Sequence, residues 1–461
     1  MKKPLFSVLV RLVLAAVMAL SGLLPAEAQS TRRKAEAPRL IRDAEIEGLM
    51  RLYAKPVFKA AGINPNAVKV YLINDRRVNA FVAGGQRIFI NSGTIVQART
   101  PNEVIGILAH ETGHIAGGHL ARMGIEMERA STQNIIGMLL GAAAMVGGAA
   151  AGSSGAAKAG QGILMGSQGF AQRSILSYQR EMESAADQAA LKYLNATGQS
   201  PKGMLDMFQR LANASIATAA NVDPYLLSHP MPLERIRNLE SDADRSPNFD
   251  RRDDQALVLR HRLAQAKLTG FIESAQVVYQ KYPSSDTSLP ARYARAIAMY
   301  RRGDMKNALP VMEGLIRDLP QDPYFWELKG QALLESGRSG EALAPLAKAR
   351  ELLPNNGLIQ ILAAQAHLDR GKSGDADQAL KLLVLARKTE SDMPAIYKFM
   401  AQAYGQKNDV ARAELATAQY AFMTGDRKLA VEKAKALQNH FKHGSPEWLQ
   451  ANDIVTFAAK K

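Results

Sequence analysis

Residues 109–119 read AHETGHIAGGH, three histidines and one glutamate in eleven positions. On an α-helix His110 and His114 stand about 400° apart, so both imidazoles leave one face and Glu111 sits one step round. That arrangement encodes two metal ligands beside a carboxylate placed to reach a water rather than the ion. His119 follows His114 by five positions. On an unbroken helix it faces away from the pair, and the expectation is that it packs against, or bonds, a neighbouring element. A third ligand histidine at the spacing known for extended forms of this motif would fall on residue 120, which is Leu120.

Two ligands from one helix call for a third from elsewhere. The stretch 180–191, REMESAADQAAL, carries Glu183 and Asp187 at i,i+4 on a second expected helix. Glu183 then completes a His₂Glu set for one Zn²⁺ per chain, with a position left for water. Asp187 is placed to hydrogen-bond a ligand imidazole and set its tautomer. The chain has no cysteine, which excludes disulfides, thiolate zinc sites and lipid attachment through an N-terminal Cys.

The helix sits in a longer order. Residues 1–28 have a basic start, an apolar middle and an Ala-x-Ala end, the pattern of a secretory signal peptide cleaved after Ala28. The formal charge of +15 suggests an anionic partner. An exported chain does not meet chromosomal DNA, so that partner is expected on the envelope rather than among nucleic acids. Asp43 to Lys59 reads as a helix, Val68–Ile73 and Arg87–Asn91 as strands, and Gly84-Gly85 as a tight turn between them. From Asn102 to about Leu211 the pattern stays helical.

The C-terminal half repeats. Gly303, Gly337, Gly371 and Gly405 stand 34 residues apart, Ala308, Ala342 and Ala376 each follow a Gly by five, and Pro320 and Pro354 follow by seventeen. This is the tetratricopeptide period: Gly ends one helix, Ala lets two approach, Pro opens the next unit. The register degrades afterwards, with Lys388 and Val410 where Pro and Ala are due. Residues 241–254, charged and carrying a Pro, read as the linker between the halves.

Four stretches together carry a resemblance: NAFVAGGQRIFINSG (79–93), AHETGHIAGGH (109–119), ESAAD (183–187) and SHPMPLERI (228–236). On them the chain resembles the M48 family of zinc metallopeptidases, in its periplasmic form with a tetratricopeptide tail. The resemblance implies an α+β gluzincin-type domain, mainly helical with a small sheet, followed by an all-α solenoid. It implies His110, His114 and Glu183 on zinc, Glu111 as catalytic base and Asp187 as an accessory proton-handling or orienting residue. It also implies quality control of misassembled outer-membrane β-barrel proteins, with the repeats contacting substrates or the assembly machinery.

The domain boundaries expected on this basis are 39–240 for the peptidase, 255–445 for the repeats and 446–461 for a tail. His229 is placed to approach the open zinc position, either stabilising an oxyanion or plugging a latent site; Arg235 is the alternative for the first role. Arg87–Asn91 is a candidate edge strand for substrate pairing. Gly113 weakens its helix or permits a close approach. Residues 135–157, uncharged but rich in Ala and Gly, suggest a mobile hairpin serving as a lid or a membrane-surface contact. A second reading makes the chain a repeat-bearing chaperone or adaptor whose protease is mostly latent.

Overall fold

A computed structural model of the chain describes residues 39–150, 154–217, 225, 228–230 and 233–458. The expected signal peptide, and a basic stretch at Thr31–Pro38 that reads as a tether after it, lie outside them. The described part of the N-terminal half is a four-stranded sheet beneath a layer of helices. Strand β1 (Leu40–Ile41) leads to helix α1 (Ala44–Ala60), whose N-cap is Asp43, its side chain accepting from the Ile46 amide at 2.9 Å. Strands β2 (Lys69–Ile73), β3 (Ala80–Ala83) and β4 (Arg87–Asn91) follow.

The sheet order is β1-β2-β4-β3, with β2 and β4 parallel and β3 antiparallel to β4. Arg87–Asn91 is therefore an inner strand, not the expected edge. The cause is β3, a short strand lying between the two expected ones, just before the Gly84-Gly85 turn. It folds back on β4 through Gly84 and Gly85, both at positive φ (57° and 91°), which a non-glycine residue adopts only at a cost. Both edges of the sheet are thus β1 and β3. One face stacks Phe89 between Tyr71 and Phe81; Ile88 and Ile90 on the other are fully buried against the helices.

After α2 (Ser92–Gln97), helix α3 (Pro101–Ala116) carries the histidine motif through the core, buried at every position from Pro101 to Gly113. Proline at its first position needs no amide partner there. The stretch expected to stay helical to about Leu211 is divided among four helices. Gly118, at φ +61°, stops α3 from running into α4 (His119–Ala150), which pairs along its length with α5 (Ser154–Ala196); α6 (Lys202–Ala217) closes the layer. The expected 135–157 hairpin falls on the α4–α5 pair, with its connection at 151–153 outside the described residues. Ile135, Ile136, Leu139 and Leu140 are exposed on α4, yet no helix among the described residues is long and apolar enough to cross a membrane.

Helix α7 (Leu233–Asp244) takes up the first residues of the expected linker. The rest is tied down: Ser200 donates to the Phe249 carbonyl, and the Asp253 carboxylate accepts from the Asn102 amide at 3.1 Å. The C-terminal region is wholly helical among the described residues. It runs through α8 (Gln255–Ile272), α9 (Ala275–Lys281), α10 (Leu289–Arg301), α11 (Met305–Asp318), α12 (Pro323–Glu335), α13 (Ser339–Leu352), α14 (Gly357–Arg370), α15 (Asp375–Ala386), α16 (Pro394–Gln406), α17 (Val410–Thr424), α18 (Arg427–Gln438) and α19 (Pro446–Ala458). The supposed tail from 446 is that last helix, whose Ala451 and Ile454 are buried against α17 and α18.

The 34-residue spacing holds for Gly303 and Gly337, both left-handed at the end of a helix, and Ala308 and Ala342 behind them are fully buried. It then slips by three. Gly371 ends α14, but Lys372–Gly374 are extra, Gly374 opens α15, and Ala379 rather than Ala376 is buried five residues on. The next left-handed residue is Asn408, 34 after Gly374, while Gly405 lies inside α16. A short insertion kept the glycines in step by number while the geometry moved on.

The C-terminal helices return to the N-terminal domain. Asp392, between α15 and α16, accepts from Lys69 at 2.9 Å and Tyr71 at 3.2 Å, and Glu390 pairs with Arg42. Deeper in, Lys267 of α8 is buried with Asp43 (2.8 Å), Glu45 (3.4 Å) and Glu327 of α12 (3.4 Å).

Candidate metal centre

Helix α3 presents His110 and His114 to α5, and Gly113 lets them get there. A Cβ on Gly113 would lie 2.8 Å from the Ala186 carbonyl oxygen and 3.0 Å from its Cα, so any side chain would force the helices apart. That close crossing brings Glu183 and Asp187 opposite the motif.

The donor atoms converge. His110 Nε2 and His114 Nε2 are 3.0 Å apart, and the Glu183 carboxylate oxygens lie 3.3 and 3.4 Å from them. Zinc bound at 2.0–2.1 Å to tetrahedral ligands spaces their donor atoms by about 3.3 Å. The protonation pattern argues the same way. His110 Nδ1–H donates to Asp187 Oδ1 at 3.0 Å, which leaves the His110 Nε2 lone pair facing the carboxylate and the second ring. Bare nitrogens and a carboxylate gathered in a buried space repel unless a cation lies among them. Burial disfavours a charged ring, yet with no ion between them Asp187 and Glu183 outweigh it and push His110 up to about 9, so that a second ring proton takes the place a cation would hold. The site draws in positive charge, and its donor set fits one zinc ion.

His229 joins the same group. Among the described residues, His110, His114, Glu183 and His229 have donor atoms all within 4.8 Å of one another. The chain after α6 brings the His229 Nδ1 to 3.0 Å from Glu183 and 3.4 Å from His110 Nε2. Its Nε2 is 3.2 Å from the Ala80 carbonyl on β3, so with the proton on that nitrogen Nδ1 faces the centre as a fourth donor.

Glu111 lies on the motif helix with both carboxylate oxygens buried and without a hydrogen bond; its Oε1 is 3.4 Å from His229 Nε2. Burial pushes its carboxyl up from the ordinary range. A buried carboxylate left unbonded is the pattern of a group kept for a reactant.

Arg235, on α7, binds Asp187 through Nε (2.5 Å) and Nη2 (2.9 Å), and its Nη1 reaches Glu183 at 2.8 Å and the Pro230 carbonyl at 3.0 Å. Although burial opposes ionisation, Arg235 and His110 hold Asp187 below the usual carboxylate range. These contacts tie the guanidinium to both carboxylates of the second helix. His119 is outside the convergent group but not remote from it: its Nδ1 lies 2.9 Å from His114 Nδ1. Sequence reasoning missed two aromatic neighbours. Phe208 meets the His110 ring edge-on at 5.7 Å, and Tyr225 lies 4.7 Å from the His229 ring. Nothing local in their sequence marks them, because their distance from the motif is closed only by packing.

Residues 42–243 match the model of a family described as peptidase family M48. Among characterised proteins, the chain is 24% identical over 331 residues to the beta-barrel assembly-enhancing protease of Yersinia pestis, covering 69% of this chain and 65% of that one. It is 21% identical over 398 residues to the protein of that name in Escherichia coli K12, covering 82% and 77%. Metalloprotease YcaL of E. coli K12 is 27% identical over 189 residues, 40% of this chain and 66% of its own.

Proposed function

We propose that the chain, whose residues 42–243 match the model of peptidase family M48, is a periplasmic zinc endopeptidase acting on misfolded or misassembled outer-membrane proteins. The observation that carries the catalytic part is the convergence of His110, His114 and Glu183 donors beside an unbonded, buried Glu111. Zinc held by those three residues would lower the pKa of a bound water from 15.7 to about 7. Glu111, buried and unbonded beside these ligands, would serve as the general base for the attacking water and pass the proton on to the leaving amine. Asp187 holds His110 in the tautomer that leaves Nε2 free, and Arg235 holds Asp187 and Glu183 in place.

His229 occupies the direction a substrate carbonyl or water needs. In this arrangement the site is latent, and activity requires His229 to withdraw from Glu183 and His110. The strand available for substrate pairing is β3, since β4 is paired on both sides. Ala80 at its start touches His229, so a peptide added along β3 lies across the ligands.

The C-terminal helices are best read as a tetratricopeptide array with a three-residue slip, capped by α19. A groove of about 460 Å³ lined by Leu309, Trp326, Leu333 and Lys348 suits a protein segment. Export, the outer-membrane substrates and the contact with assembly machinery rest on the relatives named above and the N-terminal sequence pattern. A second reading, a repeat-based chaperone or adaptor with a mostly silent protease, is favoured by the closed position of His229. Proteolysis of an unfolded outer-membrane protein by the purified chain, compared with Glu111→Gln, tests the first. A cellular phenotype that survives Glu111→Gln would favour the second.

A further inference from the structure

His119 is the histidine of the opening stretch that has no place among the ligands, and the chain takes trouble to aim it. Helix α3 ends at Ala116, Gly118 turns the backbone through φ +61°, and α4 begins at His119 itself. The turn reverses the direction expected on a continuous helix and brings the ring back over His114. Gly117 makes room for it: a Cβ there would fall 2.2 Å from His119 Nε2 and 2.5 Å from Cδ2. The ring is 7% exposed, meets His114 edge-on at 81° with centroids 5.0 Å apart, and has its Nδ1 at 2.9 Å from His114 Nδ1.

Two Nδ1 atoms at that distance share one proton. When His114 Nε2 is a ligand, its ring must carry its proton on Nδ1, and the partner must accept. We propose that His119 is a positioning residue for the metal centre, accepting the Nδ1–H of His114 so that His114 Nε2 is bare and correctly aimed. The inference rests on the zinc reading above. Each ligand histidine then has its own acceptor on the far ring nitrogen: the Asp187 carboxylate for His110 and a neutral imidazole for His114. Direct ligation by His119 is disfavoured by place, since it lies on the Nδ1 side of His114 while the centre lies on the Nε2 side. The Gly117-Gly118 pair, which breaks an otherwise favourable helix, is explained by the same contact.

The experiment uses the full chain stripped of metal, its zinc affinity measured by competition with a chromophoric chelator and its Co²⁺ complex by visible absorption. Loss of an outer acceptor of this kind costs about 10–100-fold in metal affinity. His119→Leu, with the bulk but no acceptor, is expected to show that loss while keeping a four-coordinate Co²⁺ spectrum. His119→Gln, whose amide oxygen can accept, is expected to recover most of it. Gly117→Ala, which displaces the ring without altering it, is expected to resemble His119→Leu. The thermal midpoints of the metal-free variants serve as the check on folding.

Equal affinities for the Leu and Gln variants would overturn the proposal, because packing alone would then account for His119. Complete loss of binding in His119→Gln, matching His114→Ala, would overturn it in favour of direct ligation. If the wild-type chain takes up no zinc, the metal centre itself fails and the inference goes with it.

Discussion

Two buried polar clusters stand in this molecule, one around His110 and one around Lys267, and they are finished differently. At Lys267 the chain supplies its own cation: the ammonium lies among Asp43, Glu45 and Glu327, and Tyr293 donates to Glu45 at 2.8 Å. At His110 two ligand nitrogens and a carboxylate converge, and Glu111 is left without a hydrogen bond. Burial of charge is tolerable only when it is paired. The first cluster is paired within the chain and so joins the N-terminal domain to the C-terminal helices. The second is completed by something from outside, which is what separates a binding centre from a structural one.

The largest effect that would sharpen this contrast is Glu111→Gln, expected to reduce peptide hydrolysis about 10²–10⁴-fold while zinc content stays at one per chain. Retained hydrolysis by a metal-loaded variant would remove Glu111 from the chemistry. Metal content measured for Glu183→Ala should fall to background; a variant that kept its zinc would show that another residue is the third ligand.

Lys267→Met should act on stability alone. Removing the cation strands buried carboxylates, a change that typically costs 3–5 kcal/mol, read as a lower urea midpoint with unchanged zinc content. The two clusters should also part under chelation. Stripping metal from the wild type removes a native-state ligand, worth about 2.7 kcal/mol at a hundredfold excess over Kd. Lys267→Met should lose a similar increment, because the sites are separate; a much smaller loss would couple them.

The smallest effect expected is in pH dependence. Burial pushes Glu45 up to about 8, against the pull of Lys267. Its folded pKa is above the unfolded value, so between about pH 4.5 and 8 the folded chain holds more protons and this residue's contribution to stability falls as pH rises. Glu45→Gln should flatten that slope and be least harmful near pH 8, measured by urea unfolding at fixed pH steps. An unchanged slope would mean that Glu45 is ionised throughout.

Much of the centre was legible from residues alone because it is written in helical periods. His110, Glu111 and His114 share one turn, and Glu183 and Asp187 share another, so their faces follow from spacing. The central position of β4 was not legible, since β3 is four residues long and ends in the Gly-Gly turn that hides it. The 34-residue spacing of the glycines was visible, yet the helix after Gly371 opens three residues late, at Gly374, without breaking the count.

The sequence by itself determined which residues are chemically fit to bind a divalent ion and that two of them leave one helix together. Only the tertiary structure decided that His229 comes in as a fourth donor, that Arg235 serves the carboxylates, and that His119 turns back onto His114. The reason is one of range. A motif inside a helix inherits its geometry from fixed local dihedrals, whereas the approach of α5, α7 and the 228–230 turn depends on how closely backbones can pack, down to the missing side chains at Gly113 and Gly117.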